Sequence, residues 1–176
     1  GRRPRGRPPL RAPRRAVDAL DLLDGVLVPR VEAVVTWMDH QRDTVRRVAD
    51  SPSVRHAVGA IVRSHDDVFD ARVHRQLSLA LREHQRATGA VGVDLTVDGA
   101  CLYRSGVGVA DAASNRVFAA RLAREGTAAS LPLDADAEWP GGLVMLVGAR
   151  IDIAPNVDAS LVFALDARRH FLRVLA

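Results

Sequence analysis

The side chains able to do chemistry in this chain are few and scattered. Six histidines, His40, His56, His65, His74, His84 and His170, form no His-Glu-x-x-His arrangement and no cluster with ligand spacing, so no metal site is expected. His65-Asp66-Asp67 is a run of ligand-type residues, and it reads as a solvated turn. Cys101 is the single cysteine. It excludes an intrachain disulfide and any cysteine-based zinc site. No nucleophile elbow or phosphate loop is present, and Gly106-Val107-Gly108 is too slight a glycine pattern to cradle a phosphate. Asp94 lies on the polar face of an alternating run and is expected to face solvent or accept a hydrogen bond. Neither enzymatic activity nor a cofactor is expected.

Binding chemistry is better represented. A pocket against a sheet needs a few polar or aromatic groups in apolar surroundings. Tyr103 and Arg104 lie on one strand-like run, and Arg121 on a short helical one. Ser130 ends a short strand, Trp139 sits in an acidic loop, and Arg150 lies near the end of the apolar run 143–151. Guanidinium groups pair bidentately with carboxylate and phosphate. The six residues are therefore candidate ligand contacts, with a small carboxylate or other anion as the candidate ligand. Each also has a structural reading: Tyr103 and Trp139 at the core edge, Arg121 and Arg150 in ion pairs or solvent. Asp166 is expected to cap a helix.

The elements that must position these groups follow from periodicity. Val91, Val93, Leu95 and Val97 alternate with the strand period. Asp98-Gly99 follows, then a returning run from Ala100 to Ser105. Asp-Gly between two strand-like runs predicts a hairpin with a type I′ turn, because both central residues need positive φ. Before this hairpin the pattern is helical; after it, mostly strand. A short amphipathic helix is expected over 16–27, broken by Gly25 and Pro29. A long helix then begins at Pro29, with Val31, Met38 and Val45 seven apart. That stripe could pack on the sheet or against a parallel second copy. Ser51, followed by Pro52, caps the next helix. A third ends near Thr88-Gly89. After the hairpin come a helix over 115–125, a strand over 127–133 and an acidic loop over 134–142. Two strands, 143–151 and 159–165, are apolar almost without alternation and read as central. Asp166 opens a last helix.

The charge is unevenly placed. Residues 1–15 carry seven arginines, four prolines and no acid, whereas the other 161 residues have 18 Arg against 21 Asp plus Glu, a formal charge of −3. All basic residues are arginine, which by itself carries no functional signal. Residues 1–15 are expected to form an extended, solvated tail. Within them Pro4-Arg5-Gly6-Arg7-Pro8 resembles the core of the AT-hook. That resemblance implies Arg5, Gly6 and Arg7 in a narrow A·T minor groove, although Arg, Pro and Gly make up most of the segment. The acidic body gives no nucleic-acid surface. No apolar run of about 18 residues is present, so no membrane span is expected within the chain.

Three stretches carry a wider resemblance: the long helix crossing a Ser-Pro break, Trp37 to Val54; the hairpin around Asp98-Gly99; and Asn115 to Ser130 followed by two central strands and a last helix. In order and spacing they resemble the Cache family, the PAS-like extracytoplasmic sensor domains of bacterial receptors, over residues 29–176. The resemblance implies an α+β fold. A five-stranded antiparallel sheet would carry the long helix on one face and a small-molecule pocket on the other. It also implies a periplasmic or extracellular location, anchoring through segments outside this chain, and output through a kinase, cyclase or chemotaxis region. The division expected is a tail (1–15), a helical lead-in (16–28) and one sensor domain (29–176). A DNA-associated protein using the tail, or a ligand-free profilin-like interaction domain, are the alternatives.

Overall fold

The computed structural model describes residues 14–64, 67–108, 112–130, 132–134 and 142–175. Three helices come first: α1 (Arg14–Ala49), α2 (Pro52–Arg63) and α3 (Asp67–Thr88). The hairpin β1 (Gly92–Val97) and β2 (Ala100–Gly106) follows, then α4 (Ala112–Glu125). The chain continues through β3 (Thr127–Ala129), β4 (Leu133–Asp134), β5 (Leu143–Arg150) and β6 (Ala159–Asp166), and α5 (Ala167–Leu175) is the last helix.

The fold is α+β. Five strands run in the order β2-β1-β6-β5-β3, each antiparallel to its neighbours, and β4 pairs with β5 beside this path. The sheet thus has six strands where five were expected, because the single strand predicted over 127–133 divides. Pro132 has no N–H for the ladder. Across it the register slips by one residue, from Ala129↔Val147 to Leu133↔Val144. The turn between β1 and β2 has Asp98 at φ 50° and Gly99 at φ 78°, the two positive values that the Asp-Gly pair predicts.

The expected break between 16–27 and the long helix does not occur; α1 runs through Pro29 as one helix of 36 residues, about 54 Å long. An internal proline removes one hydrogen bond, that to the carbonyl four residues earlier. That carbonyl belongs to Gly25, and both residues are exposed, so water can satisfy the group. The other boundaries follow local chemistry. The Ser51 side chain accepts from the Val54 N–H at 3.4 Å, and Asp166 Oδ1 accepts from the Arg169 N–H at 3.1 Å. The tail residues Arg5, Gly6 and Arg7 lie outside the described residues, as do His65, Asp66 and Trp139.

One face of the sheet is closed by helices. Val93 and Leu95 of β1, Leu161, Phe163 and Leu165 of β6, and Val147 and Ala149 of β5 share a buried cluster with α1, α2 and α3. The helices contribute Val45 and Val48, Val54 and Val58, and Leu77 and Leu81 respectively. Burying each Val, Leu or Phe side chain contributes about 1.5–3 kcal/mol, so this layer holds most of the driving force. The last helix packs beside α1: the Trp37 ring stacks on His170 at 5.4 Å and lies 5.9 Å from Phe171. The other face carries a smaller cluster under α4, in which Phe118 and Leu122 meet Ala128, Val144, Leu146 and Ala164.

Candidate functional site

Alternation along the strands decides what reaches the second face. In β1 Val93 and Leu95 turn to the helices, which sends Asp94 and Thr96 the other way. In β6 Leu161 and Phe163 turn to the helices, leaving Ser160, Val162 and Ala164 opposite. The β1–β6 register places Thr96 directly beside Ser160 and Asp94 beside Val162. Across β1–β2, Asp94 sits beside Arg104.

Helix α4 roofs this surface with one stripe, Asn115, Phe118, Ala119 and Leu122, at the three- and four-residue spacing of a single helix face. At β5 the roof lies almost on backbone. A Cβ at Gly148 would come 3.0 Å from Phe118 Cζ and 3.1 Å from Leu122 Cδ2, so the glycine permits the approach. Over β1 and β6 a cavity of about 330 Å³ remains between α4 and the sheet. That volume is at the small end of ligand sites.

The cavity lining is mixed. Its apolar part comes from Leu146, Val162, Ala164, Phe118 and Leu122. Two hydroxyls lie on its floor, Thr96 Oγ1 and Ser160 Oγ, 2.8 Å apart. Beside them Arg104 holds Asp94 with two contacts, Nε to Oδ1 at 2.6 Å and Nη2 to Oδ2 at 3.2 Å. The Arg104 and Asp94 side chains are 64% and 32% exposed, so solvent screens the pair and its contribution is about 0–1 kcal/mol. Asn115 adds an amide at the roof. Among the described residues no group of three His, Cys, Asp or Glu could hold a metal ion, and no helix is long and apolar enough to cross a membrane.

The six sequence candidates do not converge. Arg104 lines the cavity. Tyr103, its neighbour, packs with the helix-side cluster, as adjacent strand residues must when one faces α4. Arg121 lies on α4 outside the roof stripe, 3.8 Å from Glu125. Glu125 also accepts from Arg124 at 2.7 Å. That hydrogen bond foremost, with the charges of Arg121, Arg124 and Arg42, holds its carboxyl below its ordinary value, against an opposing desolvation. Ser130 extends the β3–β5 ladder: its N–H donates to the Leu146 carbonyl and its Oγ accepts from the Leu146 N–H, both at 2.8 Å. Arg150, the β5 neighbour of Ser160, is not part of the cavity lining; its Nη1 donates to the Ala123 carbonyl at 3.4 Å and its Nε is 3.8 Å from Asp158. Trp139 is outside the described residues.

The polar groups that do meet are Asp94, Thr96, Ser160 and Asn115 with Arg104. Their signal in the sequence was position. Asp94 and Thr96 alternate with Val93 and Leu95, and Ser160 opens the same alternation in β6. No protein-family model matches the chain, and no curated protein matches it either.

Proposed function

We propose that this chain is a small-molecule sensing domain of the Cache-like kind, with its ligand held between the sheet and α4. The cavity carries the reading: about 330 Å³, partly apolar, with a few convergent polar groups, on the face opposite the long helix. Such a combination is the usual form of a small-molecule site. The chemistry is binding, since the polar groups form no nucleophile–base pair.

The same reading assigns signalling to α1 and α5. These two helices touch through Trp37, His170 and Phe171, and α5 follows β6 without a linker. Ser160, Val162 and Ala164 under the cavity thus connect directly to the helix that leaves the domain. A small displacement of packed helices between two arrangements is an established way to pass a signal. An extracytoplasmic location, with membrane anchoring through segments outside this chain, belongs to this proposal.

The partner assigned to the outer half of α1 is a second, parallel copy of the chain. Val28, Val31 and Val35 are 49%, 59% and 51% exposed, with the four- and three-residue steps of a helix–helix seam. The body uses a different part of α1, from Trp37 onward, so this stripe is not needed for folding. A two-fold axis along the seam would bring it against itself.

A thermal-shift screen with amino acids, carboxylates, amides and alcohols tests the binding reading. Val162→Phe, which fills the cavity, serves as control. Stabilisation of the parent protein that the variant loses supports it. No stabilisation by any compound, or equal stabilisation of both proteins, removes it.

A further inference from the structure

We infer that the cavity selects an uncharged ligand, one with an apolar body and a hydroxyl, carbonyl or amide head. The inference rests on the proposed binding reading and deepens it by naming the ligand class. Among the described residues the charged groups of the lining are Asp94 and Arg104, which neutralise one another in a two-contact pair. Arg121 is beside Glu125, and Arg150 is engaged with Ala123 and Asp158. Among the described residues no second guanidinium lines the cavity beside Arg104.

The uncharged polar groups of the floor are the Thr96 and Ser160 hydroxyls, in a lining that also has Val162, Ala164, Leu146, Phe118 and Leu122. Within their mutual hydrogen bond one hydroxyl donates, so one O–H remains to donate outward and oxygen lone pairs remain to accept. A neutral head can use both. A carboxylate or ammonium placed there would exchange water for neutral partners, a desolvation cost that a neutral head does not meet. The charged groups of the lining, Asp94 and Arg104, already meet each other.

The test uses three probes of nearly equal shape: cyclohexanecarboxamide, cyclohexanecarboxylate and cyclohexylmethylammonium. Each is titrated into the full chain and followed through the methyl resonances of Leu122, Leu146 and Val162. The amide should bind tighter than either ion by roughly tenfold or more. Asp94→Asn, which removes one negative charge beside Arg104, should narrow the gap between amide and carboxylate by strengthening carboxylate binding. Carboxylate or ammonium binding as tight as the amide's overturns the inference and leaves the site standing. If none of the three moves these methyl groups, the cavity is not the binding site and the proposed function falls with the inference.

Discussion

The two faces of the sheet are made by the same strands and closed in different ways. On one face the alternate residues of β1, β6 and β5 are all hydrophobic, most of them large, and side chains from three helices meet them. On the other face polar and small residues (Asp94, Thr96, Ser160, Ala164, Gly148) are mixed with Leu146 and Val162, and one helix of 14 residues covers them. The first face is a closed core, with Leu95, Leu161 and Phe163 fully buried. The second is a roof anchored at β3 and β5 and lifted over β1 and β6. Stability and binding are thus separated within single strands, residue by residue.

Adjacent residues of β6 give the strongest test of this separation. Phe163 is fully buried on the helix face, and Phe163→Ala should cost about 3–5 kcal/mol in urea unfolding. Val162→Ala, one residue away and facing the cavity, should cost about 1 kcal/mol because its side chain is already partly exposed. Equal costs would break the comparison. Next in size is Gly148→Val, which drives a branched side chain against Phe118 and Leu122. It should cost about 1–3 kcal/mol and also weaken ligand binding, since the roof must rise.

Smaller effects lie at the surface. Asp94→Asn should change stability by no more than about 1 kcal/mol while altering ligand preference, which separates a binding role from a structural one. Glu125 is the mildest case. Its carboxyl is held below the ordinary value by Arg124 first and Arg121 after it, so its small stabilising contribution is present above that ordinary value. The contribution is lost as pH falls through the lowered value in the folded state. Arg124→Gln should raise the Glu125 midpoint in a carboxyl NMR titration and leave the cavity methyl groups unmoved.

Local signals carried most of the fold. The Asp98-Gly99 turn, the Ser51 and Asp166 caps and the glycine after Thr88 each act through chemistry complete within a few residues. The near-continuous apolar runs at 143–151 and 159–165 pointed correctly to central strands. Two departures came from proline. Pro29 was read as a boundary, yet in an exposed helix water can take the place of the lost hydrogen bond. Pro132 interrupts the strand predicted over 127–133.

The candidate site was less legible because residue type was weighed above residue position. Arg121 and Arg150 are chemically suited to anions, but helix phase and strand end turn them from the cavity. Tyr103 and Arg104 cannot both face one side of a strand. Thr96 and Ser160 look ordinary in sequence. Only the pairing of β1 with β6, strands 64 positions apart at these residues, brings their hydroxyls to 2.8 Å. That pairing is a long-range property which no local pattern contains.

Methyl-selective NMR offers the most direct test of the central claim, that one face of the sheet is a filled core and the other a binding surface. A saturating titration with cyclohexanecarboxamide should shift Leu122, Leu146, Val162 and Ala164 and leave Leu81, Val147, Leu161 and Leu165 in place. Shifts confined to the second set, or spread equally over both, would contradict the account.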